Sequence, residues 1–243
     1  MVKLYLAQDN RIREAFAEEA FPFLRSKDHV ISMVGAGGKT SLLYWMANYY
    51  SKKNVKTLVT TTTHVYQPME GYVSGEKELL ERWAQHQYAV VGEVADEHKL
   101  TMLPNGQLRK YMALAEISLL EADGAKRMSC KVPNENEPVL VQECDIVIGV
   151  MGLDVVGRPL KEACFRQEQA EKLLGVTPEH RLTEEDMAAI LLSERGTRKD
   201  VGCRDYYIVL TKCENQQRRE TGRIILELLQ ERGMARAVLA DLR

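Results

Sequence analysis

Residues 30–40 read VISMVGAGGKT, a short apolar run that stops at glycines, a lysine and a threonine. Residues 41–50 follow with apolar side chains at helical spacing. A strand, a glycine loop and a helix amino terminus together form a cradle for an anion. Glycine lets backbone N–H groups turn inward, and the helix dipole adds partial positive charge. The stretch therefore predicts an α/β fold with a phosphate-binding loop.

The loop predicts a site for a nucleoside triphosphate, ATP or GTP, with Mg²⁺ as cofactor. Lys39 would supply a mobile charge for the terminal phosphates, and the hydroxyl of Thr40 would ligate Mg²⁺. The full phosphate-loop pattern has another glycine where this chain has Met33, and the shortened GxxGKT spacing resembles the loop of the Mur ligases. The residues expected to contact the phosphates are Gly35, Ala36, Gly37, Gly38, Lys39, Thr40 and Ser41.

Outside the loop, predicted strands alternate with predicted helices. Strands are predicted at residues 29–34, 57–63, 88–91, 117–120, 145–150, 206–210 and 235–239, and helices at 9–24, 41–50, 75–85, 162–174, 183–195 and 215–232. The Asn-Gly pair at 105–106 predicts a small antiparallel hairpin between residues 100–103 and 107–109. We expect one domain over residues 1–243, a three-layer α/β fold with a mostly parallel sheet of the P-loop nucleoside triphosphate hydrolase type.

Composition argues against several classes of protein. The 33 basic and 35 acidic residues leave a formal net charge of -2, so no overall positive field exists to hold nucleic acid. No apolar run approaches the length of a bilayer span, and the amino terminus carries no targeting signal. The five scattered cysteines form no CxxC pair and favour a reducing compartment. We expect a cytoplasmic protein that binds neither nucleic acid nor membranes.

Two acids follow the buried strand predicted at residues 117–120. Because side chains alternate along a strand, the spacing of Glu121 and Asp123 puts both carboxylates on one side of the chain. Such acids would hold Mg²⁺ together with Thr40, and one would polarise an attacking nucleophile. Glu121 and Asp123 are therefore predicted metal ligands and catalytic residues, with a solvated strand end as the alternative.

Basic residues that would bind a second anionic group follow directly after these acids. Lys126, Arg127 and Lys131 would clamp it, although an exposed basic turn explains them equally well. His64 follows four threonines and would orient or deprotonate an attacking group, since histidine titrates near neutral pH. A surface histidine is the alternative. In P-loop sheets the second strand usually lies beside the first, which would bring residues 60–64 to the γ-phosphate.

Residues 211–214, Thr-Lys-Cys-Glu, are similar to the [NT]KxD loop with which G proteins read guanine. Glu214 stands where that loop has aspartate, and its extra methylene displaces the carboxylate from the guanine donors. Stacking of either purine on the stem of Lys212 remains open. Lys212 and Glu214 are therefore predicted to contact the base of the nucleotide.

Four sequence blocks occur in order: VGAGGKTSLLYWMA, TTTH, EADGAKR with KVP and NEP, and GVMGLD with GRPL. Together they resemble the YqeC family from about residue 29 to residue 214. Ser129 and Cys130 depart from the apolar or proline residues expected there, which leaves the conformation of that loop open. Beyond the glycine loop, the residues marked by the resemblance are Thr62, Thr63, His64, Glu121, Asp123, Lys126, Lys131, Glu137 and Asp154.

The resemblance implies a role as an accessory protein for selenium-dependent molybdenum hydroxylases. The partner would be the hydroxylase apoenzyme or its molybdopterin cofactor, with nucleotide driving or gating the handover. Thr62, Thr63, Lys126, Lys131, Glu137 and Asp154 would then bind substrate, and His64, Glu121 and Asp123 would act in catalysis.

Other functions fit the same residues. One is an ATP-dependent ligase of the Mur type or a small-molecule kinase, and another is a non-catalytic scaffold that binds nucleotide or molybdopterin. A G-protein-like switch is less favoured, because Glu214 replaces the guanine-reading aspartate and no DxxG follows the second strand.

Overall fold

A nine-stranded sheet organises the chain in the computed structural model, which describes residues 2–9, 11–66, 70–96 and 99–243. The strands are β1 (Lys3–Gln8), β2 (Arg11–Ala15), β3 (His29–Gly35), β4 (Thr57–Thr61), β5 (Val65–Tyr66), β6 (Ala89–Val90), β7 (Glu93–Asp96), β8 (Lys99–Thr101), β9 (Ile117–Glu121), β10 (Cys130–Lys131), β11 (Ile146–Gly152), β12 (Cys164–Phe165), β13 (Asp205–Thr211) and β14 (Ala237–Asp241). The main sheet has the order β2-β1-β14-β13-β11-β3-β9-β4-β6. From β14 to β6 all neighbours are parallel, whereas β1 and β2 add an antiparallel edge.

Helices cover both faces of this sheet. They are α1 (Ala17–Ala20), α2 (Lys39–Ser51), α3 (Glu76–Ala84), α4 (Asn105–Leu114), α5 (Leu160–Ala163), α6 (Gln167–Leu174), α7 (Glu184–Leu192) and α8 (Gln216–Glu231). Leu42 and Met46 of α2 pack with Ile31 and Met33 of β3 on one face. Helices α7 and α8 cover the opposite face around β11 and β13, and α3 and α4 cover it around β4. The predicted three-layer, mostly parallel α/β fold is confirmed.

The central strands are apolar because both of their faces are covered. All seven residues of β11 are buried, as expected for a parallel strand between two helical layers. Since β3, β4, β9, β11 and β13 are parallel, their carboxyl ends meet at one edge of the sheet. The loops that follow those strands therefore lie close together, and they contain most of the predicted site residues.

The predicted helix at residues 9–24 is wrong in its first half. Residues 11–15 form β2 and pair antiparallel with β1, and only residues 17–20 form an α-helix. Asp9 has a left-handed φ of 51°, and Asn10, which the predicted helix also includes, lies outside the described residues. The chain reverses because the short apolar strand β1 needs a hydrogen-bonding partner on its outer side.

Two further element predictions are wrong. The Asn-Gly pair begins α4 instead of a hairpin, because Leu108, Tyr111 and Met112 become buried at helical spacing. The small antiparallel decoration lies just before it, where β8 pairs with β5 and β7. The predicted helix at residues 162–174 is interrupted by β12, which pairs in parallel with β10.

No helix within the described ranges combines the length and the apolar character needed to cross a membrane.

Candidate functional site

The glycine loop depends on close backbone contact with the end of β11. Gly35 and Gly37 have positive φ angles of 91° and 84°. A Cβ at Gly35 would overlap the carbonyl oxygen of Val150, and one at Gly37 would lie 2.7 Å from the amide nitrogen of Gly152. The N–H of Ala36 donates to the carbonyl of Val150 at 2.8 Å. Glycine is required at both positions because any side chain would collide and strain the backbone.

The amino terminus of α2 points into the site. The residue before this helix, Gly38, is its N-cap and provides no side-chain hydrogen bond to it. The first amides of an α-helix lack intrahelical acceptors, and the helix dipole makes that end partly positive. This terminus is therefore able to bind an oxyanion such as a phosphate.

Lys39 lies at the centre of the site and is only 4% exposed. Its Nζ lies 3.0 Å from Asp123 Oδ1 and 3.7 Å from Glu121 Oε1, and it donates to the carbonyl of Gly35 at 2.5 Å. Burial lowers the pKa of Lys39, but the charges of Asp123 and Glu121 outweigh burial, so that its pKa is raised. The side chain is a fixed cation at the mouth of the loop.

Glu121 and Asp123 contact the loop at two different points. The hydroxyl of Thr40 donates to Glu121 Oε2 at 2.8 Å. The N–H of Gly35 donates to Asp123 Oδ2 at 3.0 Å. The carboxylates that the sequence pairs with the loop are thus in direct contact with it.

These oxygen ligands fit a magnesium ion that is shared with a nucleotide. Mg²⁺ in nucleotide sites takes one or two protein oxygens and completes its shell with phosphate and water. Glu121 Oε2 and Thr40 Oγ1 provide such a pair. In the described part of the chain, no group of three or more His, Cys, Asp or Glu side chains would hold a metal alone.

A cavity of roughly 1000 Å³ extends from the loop. The described residues that line it include seven basic side chains and four acidic ones. The basic ones are Lys39, Lys99, Lys126, Arg127, Arg166, Lys212 and Arg243, and the acidic ones are Glu121, Glu137, Glu214 and Asp241. The excess of positive charge favours an anionic ligand.

A chain of ion pairs runs from Lys39 at the loop to Arg166, and both of these residues line the cavity. Lys131 has no exposed side-chain surface and lies 3.1 Å from Asp123 Oδ2 and 2.7 Å from Glu137 Oε2. It also donates to the carbonyl of Gly124 at 2.6 Å. Arg166 pairs with Glu137 at 3.2 Å. Because Asp123 also pairs with Lys39, the ion pairs connect Lys39 with Arg166 without a break.

The loop after β13 forms another side of the cavity. Lys212 Nζ lies 2.8 Å from Asp154 Oδ2 and donates to Ser129 Oγ at 2.5 Å. Its head is thereby tied down, while Lys212 itself lines the cavity. Glu214 also lines the cavity, and its carboxylate pairs with Arg218 at 3.0 Å.

The structure brings some predicted residues to the cavity and not others. Thr63 and His64 line it, and His64 is exposed. Thr62 is 8% exposed and donates to the carbonyl of Val139 at 2.7 Å instead. The expectation that β4 lies beside β3 is wrong, since β9 lies between them. This places residues 62–64 one strand further from the loop.

Other predicted residues lie behind the cavity wall. Those that do not line it are Gly35, Ala36, Asp123, Lys131 and Asp154. Asp123, Lys131 and Asp154 instead hold lining residues in place through ion pairs. Their functional roles stay predictions, and the contacts favour positioning over direct contact with a ligand.

Sequence reasoning missed several residues that line the cavity. Phe165 and Arg166 were assigned to a helix, although they belong to β12 and the residue after it. Tyr44 of α2 also contributes to the lining, as do Asp241, the last residue of β14, and residues 242–243 after it. The position of residues 241–243 follows from the parallel pairing of β14 with β13, which places them at the same edge of the sheet.

Comparisons with known proteins identify relatives of this chain. The family model described as YqeC protein matches residues 31–168. The YqeC protein of Escherichia coli (strain K12) is 31% identical over 208 residues, which cover 76% of this chain and 78% of that protein.

Solved structures give weaker matches. The hydrogenase maturation factor HypB from Archaeoglobus fulgidus aligns over 93% of this chain and 86% of its own, with 14% identity and a TM-score of 0.39. HypB from Helicobacter pylori in complex with nickel aligns over 90% of this chain and 94% of its own, with 9% identity and a TM-score of 0.30.

Proposed function

The chain belongs to the YqeC family, and from that premise we propose that it is a magnesium-dependent nucleoside triphosphatase that assists the maturation of selenium-dependent molybdenum hydroxylases. The observation that carries the nucleotide part is the convergence of Lys39, Glu121 and Asp123 at the glycine loop. The hydroxylase part is supported by the resemblance of the four sequence blocks to this family.

The side chains at the loop would act on the terminal phosphates. Lys39 now donates to the carbonyl of Gly35, and with a nucleotide present it would turn to the β- and γ-phosphate oxygens. Thr40 and Glu121 would hold the magnesium ion, which when bound neutralises charge on the phosphates. His64 lines the same cavity and would orient the attacking water.

The base would lie between the loop after β13 and the residues after β14. Lys212 presents its stem to the cavity because its head is held by Asp154 and Ser129. A flat purine ring packs well on such an aliphatic stem. Glu214 is engaged by Arg218, which leaves it poorly placed to read guanine. We therefore propose ATP as the nucleotide.

A thermal-unfolding experiment tests nucleotide binding. Wild type and Lys39→Ala are heated without ligand, with ATP·Mg²⁺ and with GTP·Mg²⁺, and phosphate release is assayed in the same samples. At a hundred times its dissociation constant, a ligand adds about 2.7 kcal/mol of stability, which is roughly 5 to 10 °C for a chain of this size. We expect this shift for wild type with ATP and none for Lys39→Ala.

The exposed Lys172→Ala is the matched control and keeps the full shift. Thr40→Ala provides a second variant in case loss of Lys39 unfolds the protein, and we expect it to abolish phosphate release with magnesium. No shift of wild type with either nucleotide would disprove the proposed nucleotide site.

A genetic experiment tests the proposed cellular role. Cells that lack this protein are expected to lose selenium-dependent hydroxylase activity, and the wild-type chain but not Lys39→Ala restores it. Full hydroxylase activity without the protein would refute the accessory role and leave the nucleotide site untouched.

A further inference from the structure

One wall of the cavity consists of basic side chains around an aromatic ring. Lys126, Arg127, Phe165 and Arg166 all line it, and we call these four residues the basic wall. We propose that the basic wall binds a second substrate with an oxyanion group, phosphate or carboxylate, which takes the place of the attacking water and accepts the phosphoryl group of the nucleotide. An oxygen of that group would form a bond to the γ-phosphorus while the bond from the γ-phosphorus to the β–γ bridging oxygen breaks, and the nucleoside diphosphate would leave. Only this identity as acceptor rests on the proposed function, because binding of an anion at the wall is measurable without a nucleotide.

Phe165 holds the cations of the wall together. Its ring centre lies 5.4 Å from Lys126 Nζ and 5.0 Å from the guanidinium carbon of Arg166. Lys131 Nζ lies 5.8 Å from the same ring. Cations attract an aromatic face at these distances, so the ring keeps positive groups together that would otherwise repel each other.

Cations at the wall share their carboxylates with neighbouring cations. Glu137 is shared between Arg166 and Lys131, and Asp123 is shared between Lys131 and Lys39, which also lies 3.7 Å from Glu121. Arg166 therefore shares its carboxylate with Lys131, and Lys126 lies over the ring of Phe165. An oxyanion in the cavity would accept charge-assisted hydrogen bonds from these two side chains.

Several basic residues that line the cavity have a strained backbone conformation. Nine non-glycine residues within the described ranges have positive φ angles, and four of these line the cavity. All four are basic: Lys126, Arg127, Arg166 and Lys212, with φ angles of 45°, 63°, 65° and 60°. This left-handed conformation is unfavourable for residues other than glycine and tends to persist at binding and catalytic sites.

The wall is connected to the glycine loop by the ion pairs that include Lys131. A nucleotide that draws Lys39 towards its phosphates weakens the pairing of Lys39 with Asp123. Asp123 then pairs more strongly with Lys131, and the pairing of Lys131 with Glu137 weakens. Glu137 in turn pairs more strongly with Arg166. Nucleotide and second substrate are therefore expected to change each other's affinity, and by the same factor.

Calorimetric titration tests the second site. Wild-type protein saturated with a non-hydrolysable ATP analogue and Mg²⁺ is titrated with inorganic phosphate in one arm and with succinate in the other. We expect one site per chain for one of these anions, which also identifies the oxyanion class. Arg166→Gln and Lys126→Gln are expected to weaken binding at least tenfold, as for the loss of a charged hydrogen bond of about 1.5 kcal/mol or more.

The control Lys172→Gln removes an exposed charge outside the wall and keeps the wild-type affinity. Binding of neither anion, or equal affinity in wild type and Arg166→Gln, would overturn the proposal.

Two further variants separate this proposal from the nucleotide site. Lys39→Ala is expected to lose nucleotide binding but to keep the succinate or phosphate site of the wall when no nucleotide is present. Glu137→Gln should reduce the effect of the nucleotide on anion affinity to less than twofold, against about fivefold or more in wild type. Equal coupling in wild type and Glu137→Gln would disprove the connection through Lys131.

Discussion

Lys131 is the residue on which the buried charges of the site depend. It has no exposed side-chain surface and neutralises two carboxylates, Asp123 and Glu137. An unpaired charge in the interior is costly, because neither water nor a counterion replaces the lost partner.

Lys131→Met is therefore expected to destabilise the protein by about 3 kcal/mol, although methionine fills a similar volume. Urea unfolding at neutral pH measures this loss. The exposed Lys172→Met should change stability by less than about 0.5 kcal/mol. A loss below about 1 kcal/mol for Lys131→Met would show that Lys39 alone suffices to balance Asp123.

At this scale the sequence predicted the chemical groups better than their roles. The spacing of Glu121 and Asp123 predicts both carboxylates on one side of the chain, and in the structure Glu121 contacts Thr40 whereas Asp123 contacts Gly35. Their roles as metal ligands and catalytic residues stay predictions. Whether a charged side chain faces a ligand or another charge depends on which residues surround it. Lys126 and Lys131 are both basic and five positions apart, yet only Lys126 lines the cavity.

The amino terminus of α7 contributes to the stability of the fold, and this contribution depends on pH. The hydroxyl of Thr183 accepts from the N–H of Asp186, and the carboxylate of Asp186 accepts from the N–H of Thr183, as in a capping box. His180 Nε2 also lies 2.6 Å from Asp186 Oδ2. Burial raises the pKa of Asp186, but the hydrogen bonds from His180 and Thr183 outweigh burial, so that its pKa is lowered.

A lowered carboxyl pKa stabilises the fold above the ordinary aspartate value of about 3.9, and this stabilisation is lost as pH falls through the lowered pKa. Asp186→Asn is therefore expected to cost about 1 kcal/mol at pH 7, with a smaller difference from wild type below about pH 4. Urea unfolding across this range measures both values. The exposed Glu194→Gln serves as control, and a difference that grows in acid would contradict the sign.

Element prediction failed where a distant partner decided the conformation. Residues 162–174 have a helical pattern, but Cys164 and Phe165 pair with Cys130 and Lys131. Local periodicity carries no information on such pairing. The Asn-Gly turn signal also failed, because burial of the apolar residues of α4 stabilises a helix more than a two-residue turn would.

At the scale of the whole molecule, β1 and β2 protect an edge of the sheet. β1 pairs with β14, whose residues 237–240 are all buried. Deletion of residues 2–15 would leave β14 as an apolar edge strand, and such strands pair readily with other chains. We expect the shortened chain to associate or aggregate, as measured by light scattering at matched concentrations.

Phe16→Ser is the control for this deletion, because Phe16 is 86% exposed and its loss leaves β1 in place. If light scattering shows the same number of chains per particle for the shortened and the full-length protein, the protective role of β1 and β2 is contradicted.

The order of the strands is another part of the fold that the sequence did not predict. Alternating strands and helices predicted a parallel sheet correctly, since each crossover needs a helix. The placement of β9 between β3 and β4 depends on how helices pack on both faces. It decides which loops adjoin the phosphate loop, and therefore why Glu121 at the end of β9 contacts Thr40.

The central position of β3 also affects how the chain folds during its synthesis. Gly35 bonds to a residue 88 positions later, and Val30 bonds to one 115 positions later. Contacts of such high sequence separation slow folding, because long loops close before any contact is gained. During synthesis on the ribosome, β3 and the glycine loop therefore gain these contacts only after about a hundred further residues have been added. Until then the apolar strand lacks its neighbours in the sheet, and exposed apolar segments are prone to aggregate.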